Sequence, residues 1–262
     1  MSGHSKWSSI KHKKAATDAK RGQLFTKIAR DITMAARNGQ DPNPETNPSL
    51  RLAMQKAKSA NMPNDNVDRA IKRAFGPGDG ESLEEVTYEG YGPGGCAVLV
   101  DAVTTNRNRT VAEVRHAFSR SGGSMAESGS VAWQFERRGV ISLDKSTIDE
   151  EDLSLTAIDA GALDIEDTGM MIDVITEPTD LIDIKDELED KGFSVANADS
   201  LQIPKQRVEL SDSDGRTVLR LFEMLDDLDD VARVHSNADF DSDSDTLCHI
   251  KRLDSKRLYN CI

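Results

Sequence analysis

The chain has 262 residues, of which 37% are hydrophobic and 5% aromatic, a composition that suits two or three folded domains with aliphatic cores. It has no apolar run long enough to span a bilayer, no apolar signal region at its start, and three cysteines without disulfide or zinc-ligand spacing. We therefore expect a cytoplasmic protein, and the net charge of -13 would also argue against a polyanionic partner if it were evenly spread.

The charge is instead concentrated at opposite ends of the chain. Residues 1–75 hold 15 Lys/Arg against 6 Asp/Glu, whereas residues 141–240 hold 8 against 27. This polarity is typical of a protein that directs a basic end toward a polyanion, because its acidic remainder repels phosphate. The acidic part could alternatively recruit a protein partner.

The first third of the chain predicts three amphipathic helices. Apolar residues from Leu24 to Ala36 recur at helical spacing over 17–38. The basic residues of this stretch fall on the opposite face: Lys20, Lys27, Arg30 and Arg37. Asn47-Pro48 is typical of a second helix start, and a third helix is expected from about Pro63 to Phe75. We predict a helical nucleic-acid-binding domain over residues 1–76.

After residue 77 the pattern alternates between strands and helices. Strands are predicted over 86–91, 96–104, 131–135, 140–143, 170–176, 207–210 and 231–236. Helices are predicted over 111–121, 149–160, 181–191 and 218–228. This order predicts an α+β fold with mainly antiparallel sheets, in which an acidic domain (136–204) is inserted into a discontinuous one (77–135 plus 205–240). Residues 241–262 are predicted to form a tail.

The strongest candidate contact is the basic segment from His4 to Arg21, in which Asp18 is the only acid. Lys and Arg bind phosphates by releasing condensed counterions, and Trp7 could stack on a base or anchor the segment to the helices. A solvated tail without a partner is the alternative. The predicted interface of this segment and the first helix comprises Lys6, Trp7, Lys11, His12, Lys13, Lys14, Lys20, Arg21, Lys27, Arg30 and Arg37.

A second, weaker basic cluster contains Arg107, Arg109 and Arg115 between a predicted strand and helix. Backbone amides at such a point can face an anion, so Arg107 and Arg109 join the predicted interface. The simpler interpretation is helix capping by Asn108 or Thr110 together with ordinary surface charge.

No motif indicates catalysis. The glycine-rich stretch 90–95 precedes a strand, whereas nucleotide-binding loops precede a helix, and no serine has a nucleophile-elbow pattern. The five histidines are scattered, and the pair Asp226-Asp227 is interpreted as part of a solvated helix face. We expect no enzyme activity, cofactor, metal or small-molecule substrate.

Several longer motifs occur in order along the chain. They are Gly3-His-Ser-Lys-Trp, Lys20-Arg-Gly-Gln-Leu-Phe-Thr-Lys, Tyr88-Glu-Gly-Tyr-Gly-Pro-Gly-Gly, Asn106-Arg-Asn-Arg-Thr-Val-Ala-Glu-Val-Arg and Gly129-Ser-Val-Ala-Trp-Gln-Phe. Together they resemble the YebC/PmpR family, which includes the mitochondrial translational activator of cytochrome oxidase subunit I. The resemblance extends to about Phe240, and the tail has no counterpart in it.

The resemblance implies a three-domain protein with no fixed catalytic set, in which Lys6, Trp7, Lys11, Lys13 and Lys14 match the basic N-terminal motif. Bacterial relatives are commonly described as DNA-binding transcriptional regulators, whereas the mitochondrial ones act on translation. We expect a DNA-binding transcriptional regulator, and the alternative is a translation factor that binds ribosomal RNA. Electrostatics cannot separate the two, since both targets present phosphates. Neither a helix-turn-helix recognition helix nor an RRM-type aromatic pattern is present.

Overall fold

The computed structural model of the protein describes residues 18–76 and 83–240. The predicted α+β class is confirmed: a helical unit is followed by two units in which helices pack on antiparallel sheets.

The helical unit consists of α1 (Asp18–Gly39), α2 (Pro48–Ser59) and α3 (Asn64–Phe75). The helix-period apolar residues of the three helices form its core, which includes Ile28, Ile32, Leu50, Ala57 and Val67. Asn47 caps α2 through its Oδ1, which accepts from the Leu50 amide at 3.1 Å, while its Nδ2 donates to the Ala35 carbonyl at 3.0 Å. One side chain therefore fixes the approach of α2 to α1. Leu24, predicted to face inward, is exposed.

The other elements follow in chain order. They are β1 (Glu84–Tyr91), β2 (Ala97–Thr104), α4 (Arg107–Arg120), β3 (Ser124–Met125), β4 (Phe135–Asp144), α5 (Glu150–Asp159), β5 (Asp164–Asp167), β6 (Met171–Thr176), α6 (Leu181–Asp190), β7 (Val195–Pro204), β8 (Val208–Glu209), α7 (Asp212–Asp226), β9 (Val231–Ser236) and β10 (Ala238–Asp239).

The first sheet has the strand order β3-β1-β2-β9 with antiparallel pairing throughout. Helices α4 and α7 cover it, and Val100, Phe118, Leu221 and Phe222 lie in the shared core. Gly94 and Gly95 adopt positive φ of 71° and 77° in the β1–β2 turn, which confirms the predicted hairpin. The short strands β8 and β10 form a parallel pair of their own.

The second sheet has the order β5-β6-β4-β7, again antiparallel, with α5 and α6 contributing Leu153, Leu181 and Leu188 to its core. Because β9 returns to the first sheet after β4 to β7 have formed the second, the second unit interrupts the first along the chain. This agrees with the predicted insertion, and we retain the boundaries at 135/136 and 204/205 as a proposal.

Several predicted elements differ from the structure in their bounds or type. Helix α4 begins at Arg107 instead of residue 111, and α7 begins at Asp212 instead of 218, because Asn106 and Ser211 act as N-caps whose side chains accept from amides of the first turn. Residues 131–134 are not a strand, since the carboxylate of Glu89 holds the Val131 and Ala132 amides instead. Strand β4 begins at Phe135, before the predicted strand 140–143, and strands β3, β5, β7 and β10 were not predicted.

Candidate nucleic-acid interface

Much of the predicted contact segment lies outside the described residues. This applies to Lys6, Trp7, Lys11, His12, Lys13 and Lys14, and the side chain of Lys20 is also outside them. Arg21 is exposed in the first turn of α1. The contacts of the basic N-terminal segment, residues 4–21, remain a prediction.

Two basic residues of α1 bind the turn between α7 and β9 within the same molecule. The Lys27 Nζ donates to the Asp226 carbonyl oxygen at 2.5 Å and lies 3.4 Å from its Oδ1. Arg30 donates to the Asp229 carbonyl oxygen and forms an ion pair with Asp230 at 3.0 Å. The basic face of α1 is therefore docked against an acidic turn of the first sheet unit, and the interpretation of Asp226 as a solvated acid is wrong.

Arg37 is also engaged within the chain. Its Nη1 donates to the Leu83 carbonyl oxygen at 3.1 Å, just before β1 begins. Lys27, Arg30 and Arg37 thus attach α1 to the first sheet unit, and carboxylates of the same molecule compensate the charges of Lys27 and Arg30. These internal contacts make the three side chains less available to a polyanion than exposed cations.

The second basic cluster surrounds the same acid. Arg109 Nη2 lies 2.7 Å from Asp230 Oδ2, which also accepts from Thr110 at 2.7 Å and Thr104 at 3.0 Å. Although burial opposes ionisation of Asp230, the hydrogen bonds from Arg109, Thr110 and Thr104 hold its pKa below the ordinary value. Asp230 is 3% exposed and joins α1, β2 and α4.

The remaining arginines of this cluster keep more of their surface. Arg107 is mostly exposed, and its contact with Glu84 is long, with 3.6 Å between Nε and Oε2. Arg115 lies on the outer face of α4. The cap of α4 is Asn106, whose Oδ1 accepts from the Arg109 amide at 3.0 Å, so the predicted capping by Asn108 or Thr110 is wrong. Thr110 is the buried neighbour of Asp230 instead.

The structure leaves a different set of cations exposed on the helical unit. Arg21 on α1, Lys58 on α2, and Lys72 and Arg73 on α3 are exposed, and the structure gives their side chains no carboxylate within ion-pair distance among the described residues. Sequence reasoning missed Lys58, Lys72 and Arg73 because basic residues in a last helical turn are explained equally well by the helix dipole. The available signal was that Val67, Ala70 and Ala74 occupy the inner face of α3, which places Lys72 and Arg73 outside.

All three units meet around Asp199 of β7. Its carboxylate lies 2.9 Å from Lys56 Nζ on α2 and 3.0 Å from Arg233 Nη2 on β9, and Asp31 of α1 lies 3.8 Å and 3.7 Å from the same two cations. Burial opposes ionisation of Asp199, but Arg233 and Lys56 hold its pKa well below the usual range. These four charges line a polar cavity of about 340 Å³. The four charged side chains pair with one another, so a structural role at this junction explains their presence.

A separate exposed surface lies on the first sheet unit. Trp133 is 68% exposed and Tyr91 is 37% exposed, and both donate a hydrogen bond to the Ser130 carbonyl oxygen, at 3.0 Å and 3.1 Å. Neither residue belongs to the predicted interface.

Neither the acidic and histidine side chains nor the buried cysteine of the described residues indicates a metal site. Within 18–76 and 83–240, no three His, Cys, Asp or Glu side chains are grouped closely enough to hold a metal ion. Cys96 is fully buried, and burial raises the pKa of its thiol to about 11, so it is a poor nucleophile. His235 is buried and 3.0 Å from Asp101, which it helps to orient inside the sheet unit.

Comparison with known proteins assigns the chain to a family. The sequence profile of the "TACO1/YebC protein N-terminal domain" matches residues 5–77, and that of the "TACO1/YebC second and third domain" matches residues 83–238. The chain belongs to the TACO1/YebC family.

Several TACO1/YebC relatives are similar over nearly their whole length. A protein of Dehalococcoides mccartyi is 51% identical over 241 residues, which cover 92% of this chain and 96% of the relative. Proteins of Idiomarina loihiensis and Dictyoglomus thermophilum are 52% and 48% identical, and each alignment covers 91% of this chain and 96% of the relative. All three are named "probable transcriptional regulatory protein".

The fold of this TACO1/YebC chain also matches a crystal structure. A conserved hypothetical protein of Aquifex aeolicus superposes with a TM-score of 0.83 at 44% identity, covering 89% of this chain and 96% of the other. The N-terminal match begins at residue 5 and so includes Lys6 to Lys14, whereas residues 239–262 lie beyond both profiles. No described helix combines the length and apolar content needed to cross a membrane.

Proposed function

We propose that this protein is a nucleic-acid-binding regulator of gene expression that acts as a DNA-binding transcriptional regulator in the cytoplasm. One observation carries this proposal. The helical unit presents the exposed cations Arg21, Lys58, Lys72 and Arg73, and its sequence continues into the basic N-terminal segment. The names of the relatives support the same role.

Docking of the helical unit on the acidic turn gives the molecule two electrostatically different parts. Asp226 and Asp230 bind Lys27 and Arg30 on one side of α1, while the second sheet unit holds most of the acidic excess. A polyanion is repelled by the acidic units and attracted to the remaining basic surface, which fixes the orientation of approach. Phosphate contacts of this kind supply affinity and position but no sequence information. We assign the protein no catalytic step, cofactor or metal.

Charge reversal tests this proposal. We expect Lys11→Glu/Lys13→Glu/Lys14→Glu and, separately, Lys72→Glu/Arg73→Glu to weaken duplex DNA binding about tenfold or more at low salt, because each removes phosphate contacts. The slope of log affinity against log salt should fall by about one for each lost contact. Fluorescence anisotropy of a labelled duplex across a salt series measures both quantities.

The matched control is Arg216→Glu/Arg220→Glu, which makes the same change in net charge on two exposed cations of α7. We expect it to weaken binding much less than Lys72→Glu/Arg73→Glu. Equal losses in the two double variants would show that only net charge matters and would remove α3 from the interface. Unchanged affinity in the triple lysine variant would exclude the basic N-terminal segment from the DNA interface.

The second candidate function is a translation factor that binds ribosomal RNA. The exposed pair Trp133 and Tyr91 favours it, because aromatic side chains stack on unpaired bases, which structured RNA offers and duplex DNA does not. Binding to purified ribosomes and to random-sequence duplex DNA, compared as salt rises to physiological concentration, separates the two. Ribosome binding that persists while DNA binding disappears would favour the translation factor, and the reverse result would favour the transcriptional regulator.

A further inference from the structure

The glycine-rich motifs of the first sheet unit converge at one end of its sheet. Tyr91 at the end of β1 pairs with Ser124 of β3, and the Ala126 amide donates to the Glu89 carbonyl oxygen at 2.8 Å. The turn 92–95 follows directly in the chain. Two stretches that are far apart in sequence therefore form one surface beside β1: the turn region 90–95, and the adjoining segments 121–126 and 127–134.

Buried Glu89 fixes the last of these segments. Its Oε1 accepts from the Gly129 amide at 2.6 Å, and its Oε2 accepts from the Val131 and Ala132 amides at 2.7 Å and 2.9 Å. Burial opposes ionisation of Glu89, but these amide hydrogen bonds lower its pKa below the ordinary value. Val131 in turn lies in a small core with Leu99 and Phe135. The backbone around Ser130 is thus held from two sides.

Trp133 is both fixed and exposed as a result. Its Nε1 donates to the Ser130 carbonyl oxygen at 3.0 Å, and the Tyr91 hydroxyl donates to the same oxygen at 3.1 Å. The two aromatic side chains thus share one hydrogen-bond acceptor while both remain exposed to water. Exposed tryptophan and tyrosine that need no reordering are the side chains that contribute most at binding surfaces.

The hydrogen bonds decide what kind of ligand these rings suit. Because the indole N–H and the phenol hydroxyl both donate to Ser130, neither donor is available to a ligand, and the exposed ring surface offers apolar and π contact instead. A flat ring that stacks is the complementary group. We propose that Trp133 and Tyr91 form a binding site for an unpaired nucleobase of single-stranded nucleic acid.

The charge of the segment that contains Trp133 favours a nucleic acid at this site. The segment 121–135 contains a single acidic residue, Glu127, in a chain with 46 Asp/Glu. The Lys205 Nζ donates to the Trp133 carbonyl oxygen at 3.0 Å, and the Lys205 side chain is exposed. Two of its three N–H donors therefore remain for a phosphate next to the stacked base. This site rests on the proposed function in one respect, which is that the partner is a nucleic acid. It does not depend on the cations of the helical unit, because it lies outside that unit.

Intrinsic fluorescence tests the site directly. The chain has two tryptophans, Trp7 and Trp133, so Trp7→Phe leaves Trp133 as the sole indole reporter. We expect a 12-nucleotide single strand of uridine or thymidine to quench its fluorescence, and a duplex of equal length to quench it much less. In a second measurement, anisotropy of the labelled single strand, Trp133→Ala should weaken binding roughly 5- to 100-fold while Trp133→Phe retains most of the affinity.

The control variant is Leu155→Ala, which removes a similarly exposed large side chain from α5 and should leave the affinity unchanged. Unchanged single-strand affinity in Trp133→Ala, with Trp133 unquenched, would overturn this site and leave the aromatic pair to a protein partner. If the lysine triple variant still weakened duplex binding in that case, the proposed function would stand. If the wild type bound no nucleic acid at all, both proposals would fall.

Discussion

At the scale of single residues, two buried carboxylates connect segments that are far apart in the sequence. Glu89 and Asp230 are 5% and 3% exposed, and each accepts three hydrogen bonds from groups distant in sequence. Each carboxylate is stabilised in its charged form, so its removal leaves buried donors without an acceptor. The cost of such a change should exceed that of losing an exposed acid.

We predict that Glu89→Gln lowers the free energy of unfolding by about 2–4 kcal/mol, because the amide group cannot replace both carboxylate oxygens as acceptors for three amides. Urea unfolding at pH 7 measures this. Since the pKa of Glu89 is depressed in the folded state, its contribution is present above its unfolded pKa and is lost as pH falls through the folded one. The difference between wild type and variant should therefore shrink in acid. Glu127→Gln, an exposed neighbour, is the control, and equal stability of the two variants at pH 7 would contradict the role of Glu89.

At the scale of elements, patterns with strong periodicity were predictable, whereas some edge strands were not. The helical unit was predicted to within a few residues because α1, α2 and α3 have apolar faces at helical spacing and recognisable caps. Strand β7 contains Ala-Asn-Ala-Asp-Ser, lies at the edge of its sheet and is only half-buried, so it lacks the β-branched alternation that indicates a strand. The strand conformation of β7 is determined by its antiparallel pairing with β4 instead.

Close approach of elements can be tested with two glycines. A Cβ on Gly139 of β4 would collide with the Thr176 hydroxyl and lie 2.9 Å from the Leu181 Cβ, whereas a Cβ on Gly22 of α1 would meet nothing within 4 Å. We predict that Gly139→Ala destabilises the protein by about 1–3 kcal/mol and that Gly22→Ala stabilises it by about 0.5–1 kcal/mol. Thermal and urea unfolding of the two variants measure both signs. A stable Gly139→Ala protein would mean that α6 moves away from β4 easily.

At the scale of the whole molecule, ion pairs join the helical unit to both sheet units. Asp230 binds Arg30 and Arg109, and Asp199 binds Lys56 and Arg233. Because the pKa values of both acids are depressed in the folded state, their stabilising contribution is complete above the ordinary carboxyl pKa and is lost as pH falls through the depressed values. Contact between the units should therefore weaken in strong acid.

We predict that Asp199→Asn lowers the free energy of unfolding by about 2–4 kcal/mol at neutral pH, because Lys56 and Arg233 then lose their nearest carboxylate and keep only the longer contacts to Asp31, at 3.8 Å and 3.7 Å. Unfolding curves from pH 7 to 3 should show the wild type losing more stability than the variant, while small-angle scattering reports whether the units separate. The control is Asp159→Asn, an exposed acid of α5. Parallel curves for wild type and Asp199→Asn would show that this junction does not set the acid response.

The sequence by itself determined the fold class, the three helices, the hairpin at Gly92–Gly95, the inserted order of the two sheet units and the family. These follow from periodicity, turn residues and motifs, which are properties of neighbouring residues. Only the tertiary structure decided which cations are exposed. A helical wheel gives Lys27, Arg30 and Lys72 the same polar status, yet the turn at Asp226–Asp230 binds the first two and leaves the third exposed. The partner of a surface charge is chosen by long-range packing, so local sequence cannot distinguish an internal ion pair from a contact kept for another molecule.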